Sequence, residues 1–361
     1  MNKLDNQVKA NRRRFRVDHF DMVISEYIER NNRNELVLDP PYQRLFRWND
    51  IAQSQLIESI LIGIPLPPIF VFQNEDYNWE IIDGVQRTNT LINILSTDSE
   101  KVFQGCEIIT ELNGKTFKEL PDGLQRIVRN TRLRIEVVEE TDDIFSQYLL
   151  FSRLNSNGEK LEGQEIRNFL IYKLNKNFYN TLQNISIENV FLNCLKLAKN
   201  KVKEKERINK QENVEYALKF FIGRELANCE NISKYDNIDE LVTRETEKYL
   251  KKYDDIYLKN EYLIFEETFN LIFDVFGENS FKYYHKKINN IANTFSISVG
   301  ISYVINSLKT FENRNERIKD TVKKYFDSER YKKITASSYS PTRRMYELNK
   351  YSKDFFQGEF N

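Results

Sequence analysis

Residues 79 to 88, Trp-Glu-Ile-Ile-Asp-Gly-Val-Gln-Arg-Thr, run an apolar strand into Asp83-Gly84 and start a helix beside Gln86 and Arg87. These residue types in this order suit the capture of an anion. Gly84 allows close backbone approach, the N–H groups of a new helix carry partial positive charge, and Arg87 adds a cation with paired donors. Phosphate is the natural guest. With a nucleoside triphosphate over this turn, Gly84 and the helix N-terminus would hold a phosphate and Arg87 would offset charge developing in phosphoryl transfer. Gln86 would orient the attacking water, and Asp83 would hold Mg²⁺, act as base or simply orient Arg87. The plainer alternative makes Asp83 an N-cap, Gly84 a turn glycine and Arg87 a surface cation. One feature resists it: a basic residue in a first turn opposes the helix dipole unless it meets an anion or Asp83.

Two further clusters have the equipment for phosphate or nucleotide contact. In Asp39-Pro40-Pro41-Tyr42-Gln43-Arg44, followed by Phe46-Arg47-Trp48, paired prolines stiffen a loop. That loop offers an aromatic face, an amide and guanidinium forks. Its structural alternative is a Pro-rich turn with Phe46 and Trp48 in the core. The other cluster, Arg153-Leu154-Asn155-Ser156-Asn157-Gly158, ends one helix, and Leu161-Glu162-Gly163-Gln164-Glu165-Ile166-Arg167-Asn168 opens another. Asn157-Gly158 signals a turn and Asn155 a cap, so plain helix punctuation also accounts for it.

The elements that must position these clusters follow from hydrophobic periodicity. The spacing predicts a helix over 21–31, a strand at 36–38, a helix over 51–62, strands at 69–72 and 79–82, and a helix over 86–95. Further strands are expected near 102–109 and at 133–138, then a helix over 142–154. From about Glu162 the pattern is almost purely helical, as in Ile166, Phe169, Leu170 and Leu174, or Phe265, Phe269, Ile272, Phe273 and Phe276. The expected fold class is therefore α+β, with an all-α C-terminal half. Lys199 to Lys210 reads as a linker or an exposed helix. No internal repeat or low-complexity tract stands out.

Composition sets the outer bounds. A chain of 361 residues that is 40% hydrophobic can bury a sizeable core and is expected to divide in two. Its 54 basic and 54 acidic side chains cancel, so any basic surface is local. Two such segments flank the chain: Lys9 to Arg16, and Ser337-Ser338-Tyr339-Ser340-Pro341-Thr342-Arg343-Arg344. Either suits phosphate contact, or solubility and partner docking. Cys106, Cys194 and Cys229 lie far apart, which disfavours disulfides and thiolate zinc and points to a reducing cytoplasm. The longest apolar run, 60–72, is broken by Gly63, Pro65, Pro67 and Pro68, so neither a membrane span nor a secretory signal is expected. No metal site is expected, because His19 and His285 have no neighbouring ligand set. Nor is there a Walker A loop or a His-Glu-x-x-His helix.

The ordered clusters resemble the GmrSD restriction endonuclease N-terminal domain family, a branch of the ParB/sulfiredoxin-like fold found in phage-defence proteins. The resemblance rests on Tyr42-Gln43-Arg44 with Trp48, on residues 59–69 (Ser-Ile-Leu-Ile-Gly-Ile-Pro-Leu-Pro-Pro-Ile), on Ile82-Asp83-Gly84-Val85-Gln86-Arg87, and on Arg153-Leu154-Asn155 with Leu161 and Glu165-Ile166-Arg167-Asn168. It implies a ParB-like domain over 15–175 and a helical domain over 176–361. Asp83, Gln86 and Arg87 take the catalytic positions of the family's Asp-Gly-Gln-Gln-Arg motif, although Val85 replaces its first glutamine. Tyr42, Gln43, Arg44, Gly84, Asn155 and Arg167 take nucleotide- or phosphate-binding positions. The cofactor implied is a nucleoside triphosphate with Mg²⁺. The expected partners are DNA, modified or of phage origin, and an effector protein; self-association is left open. Family members often add an HNH nuclease module, which two isolated histidines do not supply. The leading expectation is an antiviral restriction-system protein that binds, and hydrolyses slowly if at all, a nucleotide that regulates DNA recognition or an effector. Two alternatives stand beside it: a non-enzymatic DNA-sensing adaptor whose turn grips DNA phosphate, and a weak ParB-like nuclease.

Overall fold

The computed structural model describes residues 4–6, 8, 17–38, 48–74, 76–96, 98–139, 143–154, 163–198, 200–281, 294–336 and 339–360. Two compact units divide the chain, Met1–Leu161 and Glu162–Asn361. Helix Gly163–Leu174, the first of the second unit, packs with the helices of that unit.

The first unit is α+β. Its strands β1 (Val17–Val23), β2 (Leu36–Val37), β3 (Ile69–Gln73), β4 (Trp79–Asp83) and β5 (Arg132–Glu139) form one mixed sheet in the order β1-β5-β3-β4-β2. β1 runs antiparallel to β5 and β4 antiparallel to β3, whereas β3–β5 and β2–β4 are parallel. In β5 the residues Leu133, Ile135 and Val137 alternate inward, as a half-buried strand requires. Helices α1 (Ile24–Asn32), α2 (Asp50–Leu61), α3 (Val85–Leu95), α4 (Asp122–Asn130) and α5 (Ile144–Leu154) complete the unit. Tyr27 and Ile57 meet Val71, Ile81, Leu91 and Ile135 in the core.

Two expectations fail here. The helix expected from Asp21 begins only at Ile24, because residues 17–23 pair along their whole length with β5. β1 is an edge strand with Met22 as its buried residue, so it has no inward alternation to read. The strand expected near 102–109 is a loop with a single bridge, Val102 to Thr116. Its backbone is satisfied instead by the buried Glu58, whose carboxylate accepts N–H from Ile108 (2.8 Å) and Ile109 (2.6 Å). A side chain from α2 replaces the missing ladder.

The second unit is helical among its described residues: α6 (Gly163–Leu174), α7 (Lys176–Ser186), α8 (Asn189–Leu195), α9 (Lys201–Asn209), α10 (Glu212–Asn228), α11 (Ile238–Lys252), α12 (Asp255–Phe276), α13 (Ser296–Leu308), α14 (Arg314–Asp327), α15 (Glu329–Thr335) and α16 (Pro341–Phe360). Phenylalanines fill its centre: Phe221 stacks on Phe265 at 5.6 Å, and Phe191 meets Phe269 edge-on at 4.7 Å. Arg224 forms a buried two-point pair with Glu261 and donates to Ser302 Oγ. Gly300 lets α13 and α16 touch, since a Cβ there would lie 2.4 Å from Ser352 Oγ and 2.9 Å from its carbonyl. The charged stretch from 199 contains α9, an exposed helix with no buried residue, capped by Asn200. No helix among the described residues is long and apolar enough to cross a membrane. Cys106, Cys194 and Cys229 are free thiols.

Candidate functional site

β4 ends at Asp83, paired with Phe70, and a register shift between Phe70 and Val71 gives β4 one extra residue just before the turn. Such an irregularity re-aims the side chains beyond it. Gly84 follows at φ 101°, ψ 8°, a left-handed conformation that favours glycine, and α3 starts at Val85 with no side-chain cap. The first-turn amides of α3 are therefore not covered by a capping side chain, which is the arrangement an anion would use.

The position of Arg87 settles the dipole question. Its guanidinium turns back rather than outward: Nη2 donates to Asp83 Oδ2 at 3.1 Å and to the Pro68 carbonyl at 3.1 Å, and Nη1 donates to the Pro67 carbonyl. Arg87 is only 12% exposed in its side chain, against 35% for Asp83. One cation thus fastens the Pro65–Pro68 approach of β3 to the turn. Burial pushes the Asp83 carboxyl above its ordinary range, with Arg87 and the Gly84 N–H pulling it back. Burial also pulls the Arg87 guanidinium down from its ordinary value, opposed by Asp83 and Tyr27. For both partners desolvation outweighs attraction, as is common for half-buried pairs.

Gln86 ties the turn to the chain entering α2. Its Oε1 accepts the Trp48 N–H at 3.2 Å, and its carbonyl accepts the Thr90 hydroxyl at 2.8 Å. Val85, the departure from the family motif, is half-buried and packs against the core. A glutamine there would bring an amide to that apolar contact.

Sequence reasoning missed several supporting groups. Tyr27 is fully buried, its hydroxyl 3.0 Å from Thr88 Oγ1, and burial holds its phenol far above the ordinary range. Gln53 donates to the Trp48 carbonyl at 2.9 Å, and Lys101 reaches Gln53 Oε1 and Asp50 Oδ1, each at 3.0 Å. Asp50, Gln53, Ser54, Lys101, Phe103 and Gln104 line a cavity of about 250 Å³. A polar chain therefore runs from this cavity through Gln53 and Trp48 to Gln86. No local pattern announces it, because Lys101 and Gln53 are 48 residues apart.

The remaining candidates divide between residues outside the description and residues of other elements. Tyr42, Gln43, Arg44 and Asn155 lie outside the described residues, as do His285 and residues 9–16. Arg167 is 1% exposed within the second unit, donating Nε to Gln164 Oε1 (3.0 Å) and Nη1 to Asp239 Oδ1 (2.9 Å), with Nη2 3.4 Å from Glu215. Its cation is committed to packing α6 against α10 and α11. His19 sits exposed on β1 opposite Glu136. In the C-terminal basic segment, Ser340 Oγ accepts the Arg343 N–H at 3.3 Å and so serves the start of α16. Among the described residues no cluster of three or more metal-ligating side chains occurs.

Residues 24–172 match the family model described as GmrSD restriction endonuclease, N-terminal domain. No curated protein and no solved structure matches the chain.

Proposed function

We propose, from the premise that residues 24–172 form a GmrSD-type N-terminal domain, that this is a cytoplasmic restriction-type defence protein that acts toward DNA and binds a nucleoside triphosphate at the turn of residues 83–87. The observation that carries the reading is the uncapped start of α3 behind a left-handed Gly84, with the Asp83–Arg87 pair at its mouth. The domain's expected ParB-like character belongs to the same reading.

The residues present fit a phosphate. The helix N-terminus supplies N–H donors and a favourable dipole. Arg87 is held by a carboxylate and two carbonyls at a net desolvation cost, so a phosphate dianion would compete well for it. The half-exposed Asp83 carboxylate suits Mg²⁺, which commonly takes one or two protein carboxylates besides phosphate oxygens; when bound, the ion would neutralise phosphate charge. Gln86, through its bond to the Trp48 N–H, would hold the chain entering α2 beside the bound nucleotide. With Val85 turned to the core, binding that regulates DNA recognition or an effector fits better than fast turnover.

Equilibrium binding and turnover with each common NTP and Mg²⁺ test this reading. Wild type should bind, with slow or no hydrolysis, and Asp83→Ala or Arg87→Ala should lose binding or turnover by about a hundredfold or more, with far-UV circular dichroism unchanged. Identical behaviour of wild type and both variants, with and without modified DNA, removes the proposal.

A further inference from the structure

The helical unit holds a second cavity, of about 160 Å³, whose walls come from α10, α11, α13 and α16. Tyr216 and Phe295, with ring centres 5.2 Å apart, form an aromatic wall, and Ile238, Met345 and Leu348 continue the apolar lining. Lys219, Arg344 and Asn349 bring the polar groups. An apolar enclosure with a few convergent polar groups is the usual character of a small-molecule site.

Two of those polar groups, Asn349 and Arg344, have fewer partners than a purely structural role would provide, and Lys219 shares its own. Asn349 is 94% buried, since its exposure is 6%, and its amide makes no hydrogen bond among the described residues. That amide lies over Gly223, where a Cβ would come 3.1 Å from Nδ2, so the glycine makes room for it. Arg344 donates Nη2 to the carbonyls of Ala336 (3.3 Å) and Tyr339 (3.1 Å), has no carboxylate partner among the described residues, and its buried Nε has no acceptor. Lys219 shares its carboxylate, Glu215, with the buried Arg167. Cationic donors therefore outnumber carboxylates at this cavity, and Pro341 opens the 20-residue α16 beside them with the positive end of its dipole.

We infer that this cavity binds a small organic anion with a single-ring apolar body, its ring against Tyr216 and Phe295 and its anionic group on Arg344 and Lys219. An apolar cavity of about 150 Å³ accepts a benzene-sized ring, which sets the size. The Asn349 amide, on a residue 6% exposed, would bond a polar edge of the ligand. Because Lys219 and Arg167 share Glu215, an anion on Lys219 would also free that carboxylate for Arg167 of α6.

Isothermal titration calorimetry of the full chain tests the site with benzoate, its neutral isostere benzamide, and acetate, which has the charge without the ring. Benzoate should bind saturably and about tenfold or more tighter than benzamide, as a charge-assisted contact implies, and acetate should not saturate. Arg344→Gln should remove the preference for benzoate over benzamide. Met345→Trp, at a half-buried lining position, should fill the cavity and abolish binding of both. Absence of saturable benzoate binding, or binding unchanged in both variants, overturns the proposal.

Discussion

At the scale of single residues, Arg87 decides the character of the turn. A guanidinium that donates to two proline carbonyls and a carboxylate organises the surrounding chain before any ligand arrives. Removing it strands those acceptors, so Arg87→Ala should destabilise the first unit by about 1–3 kcal/mol, measured by denaturant titration of Trp fluorescence. The nucleotide assays on this variant therefore need the fold check. Asp83 adds a pH signature. Its folded pKa is raised, so on acidification the native state takes up this proton before the unfolded chain does. Its contribution to stability accordingly improves as pH falls through the raised value and is unfavourable above it. Asp83→Asn should flatten that part of the stability profile; a profile that superimposes on wild type would contradict this account.

At the scale of elements, the loop after α3 shows one helix doing the work of a strand partner. Glu58 on α2 holds the N–H groups of 107–109. Burial alone would raise its carboxyl, but the bonds from Ile109, Ile108 and Glu107 together leave it below the ordinary 4.5. This stability is present above the unfolded value and is lost as pH falls through the depressed folded one. Glu58→Gln should then cost about 1–3 kcal/mol near neutrality, and the gap between variant and wild type should close in acid. A gap independent of pH would show that the charge is not what matters. The expected strand over 102–109 fails for the same reason, since its β-branched residues are real but its backbone donors go to a side chain. By contrast α3, β3, β4 and β5 were legible because each carries its own apolar run or alternation.

At the scale of the whole molecule, each unit has its own core, mixed α+β in the first and aromatic-rich helices in the second. Both tryptophans, Trp48 and Trp79, lie in the first unit, so Trp fluorescence reports that unit while far-UV circular dichroism is dominated by helices of the second. Gly300→Ala forces a methyl into the contact between α13 and α16, and overpacking of this kind costs about 1–3 kcal/mol. The dichroism transition should shift to lower denaturant while the fluorescence transition stays; equal shifts in both would mean that the units unfold as one. The strand, turn glycine and helix of residues 79–95 and the helical character after Glu162 are legible in the residues alone, because periodicity and a glycine at a turn are local properties of the chain. What Arg87 holds, the locking of Arg167 among Glu215, Asp239 and Gln164, and the convergence of Asn349 and Arg344 on one cavity come from packing between elements. The acceptors of Arg87 and Arg344 are largely backbone carbonyls, which every residue carries alike, and Glu215 and Asp239 lie tens of residues from Arg167, so no local pattern of side chains could name them.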